Sequence, residues 1–538
     1  VLYPRYDFAA LPLEDSGRRV RVPLGRRTLE ARIWKARVGR TLLLLLDSDT
    51  RPNPPALRRV TGQLYGGDDE TRIQQEILLG IGGVRALAAL GLRATVFHLN
   101  EGHAALAGLE RLRELRREGR PLARALEAVR RTSLFTTHTP VPAGHDRFSP
   151  ALTMRYLGPL AEELGMEREA FLGLGRQDPS DPREPFCMTV LALRLSAHCN
   201  AVAELHGRTT RRMWMGVYGA RRERDVPIGH VTNGVHVQTW LAPEMAELYE
   251  RYLRPRWLGA GPQENFWHRA ARIPPAELWA VRNALRARLV QFVRRRLVEQ
   301  VQRRLGSAGE LWAARQALDE RALTIGFARR FATYKRATLI FHDPQRLAAI
   351  LNHPERPVQL VFAGKAHPRD LPGQALAQQI FRMIRREEFR GRVVLLEDYD
   401  MEVGRVLTSG CDVWLNTPLR PQEASGTSGM KPPLHGGLNC SILDGWWPEG
   451  YNGRNGWAIG DARERATRRE QDSCDAAALY ELLEREIVPL FYRRDRRGLP
   501  RGWILRMIES LRTIPQRFNS HRMVAEYFER FYRLAAAP

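Results

Sequence analysis

The sequence predicts a mixed α/β chain with a parallel sheet wrapped by helices, and three observations carry that expectation. From about residue 321 short apolar runs, Leu323–Phe327, Val358–Ala363, Val393–Leu396, Val413–Leu415 and Cys440–Leu443, alternate with stretches of helical length such as Gln374–Glu388. Alternation of this kind builds a parallel sheet covered by helices. Glycine- and lysine-bearing motifs fall where those runs end, and ligands of such sheets bind at the carboxyl ends of the strands. The chain has 538 residues, enough for two or more cores, because a single core stops growing near about 250–300 residues.

Taken in order, Val1 to Asp7 reads as the middle of something longer, so a truncated N-terminus is expected. No purely apolar run is longer than Leu42–Leu46, which is too short to cross a bilayer. Glu76–Leu90 and Glu101–Glu118 carry helical patterns, and residues 1–255 as a whole mix helices with motif-bearing loops. Residues 256–320 read as a connector. Within it Leu278, Val281, Leu285, Leu289, Phe292 and Leu297 recur at helical spacing, with arginines expected on the opposite face. Residues 321–465 form the second α/β region, and 466–538 are mostly helical, ending in the stretch from Ser520 to Phe528. There is no internal repeat or low-complexity segment.

The net charge of +24 would ordinarily raise a nucleic-acid or membrane partner. The arginines are spread through the chain beside glutamates, as in Glu110–Glu118, which reads as a solvated surface. Neither nucleic acid nor membrane is therefore expected as a partner. Five scattered cysteines, Cys187, Cys199, Cys411, Cys440 and Cys474, argue against a disulfide framework or a zinc site and for a reducing compartment, so a cytoplasmic location is expected.

Of 84 basic side chains only four are lysine: Lys35, Lys335, Lys365 and Lys431. Where arginine serves nearly every cationic purpose, a retained lysine marks work that a guanidinium cannot do, such as losing a proton, bonding an aldehyde or acting as a compact charge on phosphate. Lys431 closes the segment Glu423-Ala-Ser-Gly-Thr-Ser-Gly-Met-Lys431. Its small residues can turn backbone N–H groups toward an anion at a helix start, with two hydroxyls beside them. An amine next to such a cradle suits pyridoxal 5′-phosphate. Arg329, Arg330 and Lys335 place three cations within seven residues after a strand, enough to surround a dianion. His98-Leu-Asn-Glu-Gly-His103 offers two imidazoles and a carboxylate, but not at the spacing of a zinc helix, so no metal is expected.

The segment ending at Lys431, with Leu443-Asp-Gly-Trp-Trp447 and Glu449-Gly-Tyr451, resembles the short bacterial and archaeal branch of the α-glucan (glycogen, starch and maltodextrin) phosphorylases, and the likeness extends along most of the chain. The resemblance implies a GT-B architecture: two Rossmann-like lobes facing a cleft, the first incomplete here. It implies that Lys431 carries pyridoxal 5′-phosphate, that Thr427, Ser428 and Arg329 hold its phosphate, and that Trp240 packs near it. Arg330 and Lys335 would bind the substrate phosphate, with Tyr334 beside them, and Lys365 would play a supporting part. Glu423, Ser425, Gly426, Asn233, Glu101 and His103 would contact the sugar, while His138, in Phe135-Thr-Thr-His-Thr-Pro140, would touch the reacting glucose. The implied reaction is retaining transfer of glucose from an α-1,4-glucan to inorganic phosphate, with no flanking carboxylate pair of the usual glycosidase kind. The implied assembly is a homodimer.

Three departures from the family pattern shape the expectation. The glycine-rich phosphate loop near the family's N-terminus has no equivalent, because Gly80, Gly82 and Gly83 lie in a helix-like stretch, so weak or absent phosphorolysis is expected. Pro432 and Pro433 follow the key lysine directly, and His435 stands where asparagine is usual. Proline is tolerated in a first helical turn. Two alternatives stay open: a nucleotide-sugar glycosyltransferase of the same architecture, and a non-catalytic glucan-binding homologue.

Overall fold

The computed structural model describes residues 10–64, 66–254, 265–366 and 370–536. It is a mixed α/β protein that divides into two units. One comprises Ala203–Leu205 and Thr232–Ala525; the other comprises the described parts of Tyr3–Val202 with His206–Val231 and the described part of Glu526–Pro538.

The second of these units begins with an antiparallel meander, β1 (Glu14–Leu24), β2 (Arg27–Val38) and β3 (Thr41–Asp47). The apolar run Leu42–Leu46 is thus a strand. A parallel sheet follows, built from β4 (Phe97–Asn100), β5 (Ser133–Thr136), β8 (His198–Ala201) and β9 (Ile228–His230) in the order β4-β5-β8-β9, and the short strands β6 (Arg147–Phe148) and β7 (Phe186–Cys187) pair apart from it. The helical pattern near residue 76 starts earlier than expected, at Asp69, where Asp68 caps the first turn. It then passes through a π-helical turn at Leu78–Gly82 and runs on to Ala89. The helix expected from Glu101 begins only at Leu106, because Glu101 has φ +62° and ends the strand in a sharp turn. The C-terminal residues return to this sheet: the Tyr532 hydroxyl lies 2.6 Å from Nδ1 of His98, and Asn200 donates to the Tyr527 hydroxyl at 3.0 Å.

In the other unit six parallel strands, β10 (Leu323–Ala328), β11 (Val358–Ala363), β12 (Val393–Leu396), β13 (Val413–Asn416), β14 (Leu438–Ile442) and β15 (Gly456–Ile459), lie in the order β12-β11-β10-β13-β14-β15. β10 and β11 are buried at every position, as strands covered on both faces must be. The last strand, β15, had no counterpart among the apolar runs read from the sequence, since it alternates Gly, Trp, Ala and Ile. The helical spacing read within residues 256–320 becomes the helix Pro275–Arg303, preceded by a 3-10 helix, Trp267–Arg272, and followed by a further helix, Ala308–Gln316. The arginines of the long helix are not all solvated: Arg282 and Arg286 are buried and both bond Oδ1 of Asp412, at 3.2 and 2.8 Å. A carboxylate buried at the start of β13 needs positive partners, and the helix supplies them from its inner face. Among the described residues no helix is long and apolar enough to cross a membrane.

Candidate active site

In the six-stranded unit the chemistry-bearing segments follow the carboxyl ends of β10, β11, β13 and β14. The chain leaving β10 stays paired with the chain leaving β11: Arg329 N–H donates to Ala363 O at 3.2 Å and Phe331 N–H to Lys365 O at 3.0 Å. A Cβ on Gly364 would lie 2.2 Å from the Arg329 carbonyl oxygen, so the close approach needs glycine. Lys365 enters this arrangement through its backbone.

Arg329 and Lys335 are buried and converge on the buried carboxylate of Glu423. Lys335 Nζ lies 2.7 and 2.5 Å from its two oxygens, and Arg329 Nη2 lies 2.6 Å from Oε2. Burial by itself would raise the Glu423 carboxyl, but the charges of Arg329 and Lys335 outweigh it and hold it below the usual range. Lys335 is pushed down to about 8, by desolvation first and by the charge of Arg329 second. The Tyr334 ring lies 4.5 Å below its ammonium, and burial raises the Tyr334 hydroxyl to about 12. Arg330 is exposed. The turn is fixed by buried Arg336, at φ +48°, whose guanidinium bonds Asp472 at 2.8 Å, Asp475 at 2.7 Å and the carbonyls of Thr417 and Pro418.

The segment 423–431 is cradled by the loop after β14. Asp444 accepts the Glu423 N–H at 2.9 Å, Trp446 N–H donates to Ser425 O at 2.9 Å, and Gly445, at φ +59°, leaves no room for a Cβ, which would sit 2.3 Å from that same oxygen. Gly426, at φ +81°, turns the chain into Thr427–Met430, a 3-10 turn, followed by a second at Pro432–His435. An α-helix does not start here as expected, because Pro432 and Pro433 have no N–H to continue the ladder. The carbonyl of Gly429, which Pro433 would have served, instead accepts from Asn439 Nδ2 at 2.8 Å.

Lys431 Nζ stands 3.5 Å from the centroid of the Trp240 ring and makes no hydrogen bond or ion pair among the described residues; burial lowers its pKa to about 8. Trp240 closes the short helix Val237–Trp240. The chain just after it is fastened down, with Ala242 N–H donating to His435 Nε2 at 3.0 Å and the Tyr249 hydroxyl to Leu434 O at 2.6 Å. His435 is therefore an acceptor in the core, and burial drops its pKa to about 3. Trp414 Nε1 lies 3.4 Å from the Ser428 hydroxyl, while Ser425 Oγ is buried and has no hydrogen-bond partner among the described residues. A desolvated amine over an indole, hydroxyls at Thr427 and Ser428, an unpartnered hydroxyl at Ser425 and the guanidinium of Arg329 make a donor set that fits pyridoxal 5′-phosphate.

Asn233 lies on a segment pinned by Arg522, which donates to Asn233 O at 3.2 Å and Thr232 O at 2.7 Å, while the Thr232 hydroxyl donates to Glu449 at 2.8 Å. A Cβ on Gly234 would fall 2.2 Å from Asn519 O.

The other unit holds a second cluster, again where parallel strands end. Glu101 follows β4, and its carboxylate accepts the His138 N–H and, at 3.2 Å, the Thr137 hydroxyl, both of which follow β5. His138 Nε2 lies 3.2 Å from Asn100 Oδ1, and burial lowers its pKa. His103, on the 3-10 turn Gly102–Ala104, meets Asp146 at 3.1 Å and Glu76 at 3.5 Å. Burial and, less strongly, the Arg72 charge oppose its protonation, yet the hydrogen bonds it donates to Asp146 and Glu76 raise its pKa to about 9. These three residues bring ligand atoms within 4.8 Å of one another. Arg72 brings a further positive charge, 3.0 Å from Glu76, 2.9 Å from Asp146 and 2.5 Å from His103 Nδ1, and burial raises the Glu76 carboxyl to about 8. Sequence reading missed Arg72, Glu76 and Asp146; the one available signal was Glu76, a charge next to Ile77 on an apolar helix face, where it is fully buried.

A family model described as carbohydrate phosphorylase matches residues 178–449. The chain is 43% identical over 542 residues to a maltodextrin phosphorylase of Thermococcus litoralis, covering 100% of this chain and 63% of that protein. It is 46% identical over 553 residues to a glycogen phosphorylase of Mycobacterium bovis, covering 99% and 63%. It is 40% identical over 500 residues to a glycogen phosphorylase of Aquifex aeolicus, covering 93% and 71%. The chain thus spans just under two thirds of the length of the first two.

Proposed function

Because the chain belongs to the carbohydrate phosphorylase family, we propose that it transfers a terminal glucosyl unit from an α-1,4-glucan to inorganic phosphate, giving α-glucose 1-phosphate with retention. We read its two α/β units as the halves of a GT-B architecture. The observations that support the reading best are the buried convergence of Arg329 and Lys335 on Glu423 and, on the segment that begins at Glu423, a lysine amine held over an aromatic face.

Lys431 would hold pyridoxal 5′-phosphate, with Trp240 against it and with Arg329, Thr427 and Ser428 at its phosphate. When bound, that group supplies a second phosphate able to share a proton with the substrate phosphate. Two adjacent phosphates repel, so fixed cations in a water-poor site are required. Lys335, at about 8, stays mostly charged at neutral pH and can serve as one; exposed Arg330 can meet phosphate arriving from solvent. Glu423, Ser425, Gly426, Asn233, Glu101, His103 and Tyr334 would orient the sugar, with His138 at the reacting glucose. The Glu101 carboxylate fixes the His138 backbone, and the depressed imidazole pKa leaves His138 neutral, able to donate or accept toward a hydroxyl.

The test is release of glucose 1-phosphate from maltodextrin and phosphate by protein loaded with pyridoxal 5′-phosphate. Release that disappears in Lys335→Gln supports the proposal. Transfer from a nucleotide-sugar donor, with no release of glucose 1-phosphate, overturns it.

A further inference from the structure

We propose that Glu423 is the shared internal counter-ion of Arg329, assigned above to the cofactor phosphate, and of Lys335, assigned to the substrate phosphate, so that phosphate reaching Lys335 must first displace its carboxylate. Both oxygens of Glu423 are within 2.7 Å of Lys335 Nζ, one of them is 2.6 Å from Arg329 Nη2, and all three side chains are buried. The donors a phosphate would use are the donors the carboxylate holds. A phosphate dianion satisfies a buried cation better than a monoanionic carboxylate does. The main chain need not move in the exchange, because the Glu423 N–H stays on Asp444 at 2.9 Å and Gly445 packs against Ser425 O. Only the three side-chain torsions of Glu423 have to change.

A displaced carboxylate is a free acceptor at the segment assigned above to sugar contacts. Phosphate binding therefore releases a sugar ligand, and a polyol that engages Glu423 frees the cations. By linkage the two ligands favour one another equally. The inference rests on the phosphorylase reading in one respect, that Lys335 is a phosphate ligand.

Titration calorimetry with inorganic phosphate on the whole chain loaded with pyridoxal 5′-phosphate tests it, using wild type, Glu423→Gln, Glu423→Asp and Lys335→Gln. Glu423→Gln is expected to bind phosphate at least about tenfold more tightly than wild type. Glu423→Asp, which keeps the charge but is one methylene too short to bridge both cations, is expected to fall between them and decides the matter if the glutamine variant fails to fold. Unchanged or weaker binding in the folded Glu423 variants, with Lys335→Gln weakened, overturns the counter-ion role and leaves the phosphate reading standing. Unchanged binding in Lys335→Gln overturns both.

Discussion

The Lys431 amine and the Trp240 indole are stacked, 3.5 Å from nitrogen to ring centroid, and this contact sets the character of the amine. A cation over an aromatic face gains from the ring quadrupole, yet desolvation dominates and the pKa falls to about 8. A free amine is the nucleophile, so the rate of adduct formation with pyridoxal 5′-phosphate should rise with pH and level off above about 8, well before an ordinary lysine at about 10.4. Borohydride fixation followed by peptide mass should place the adduct on Lys431. In Trp240→Ala, where water reaches the amine, the inflection should move upward.

His103 links stability to alkaline pH. Its imidazole keeps its proton to about 9 in the folded chain, against about 6.5 unfolded. A folded pKa raised above the unfolded value stabilises fully below about 6.5, and that contribution is lost as pH rises through 9. Urea midpoints of wild type and His103→Gln should therefore differ at pH 6 and converge by pH 10.

Asp412 neutralises two buried guanidiniums at once, and its second oxygen accepts the Thr324 N–H at 3.0 Å. Asp412→Ala strands both arginines without a counter-ion. The expected cost is about 3–5 kcal/mol, read from the denaturation midpoint. A loss below about 1 kcal/mol would mean that water enters and solvates them.

Gly445→Ala should act on the site more than on the fold. Its φ of +59° and the 2.3 Å approach of a Cβ to Ser425 O strain the loop that holds Glu423 and Ser425. A destabilisation of at least about 1 kcal/mol is expected, together with tighter phosphate binding in calorimetry, because the competing Glu423 carboxylate is held less firmly. The same exchange at Gly453, also at positive φ but with open space around it, should leave phosphate binding unchanged.

The parts of the fold that were legible were those with a one-dimensional signature. Val393–Leu396, a continuous apolar run, and Val358–Ala363, broken only by Gln359, became strands with those bounds. The connector's apolar spacing became the helix Pro275–Arg303. β15 stayed hidden because a four-residue strand containing glycine has no such pattern. Arg282 and Arg286 were assigned to the solvent face because their partner, Asp412, is more than a hundred residues away in sequence.

At the site, the scarcity of lysine and the spacing of Glu423 to Lys431 singled out the reactive segment with no structure at all, because covalent chemistry and anion binding demand particular residue types in a short span. The sequence determined which groups are available. Only tertiary structure decided what each one faces: that Lys335 and Arg329 share Glu423, that Trp240 covers Lys431, that His103 is charged by Glu76 and Asp146, and that paired prolines give 3-10 turns served by Asn439. Burial and the distance between charges fix a side chain's protonation and reach, and both are set by elements far apart in the chain.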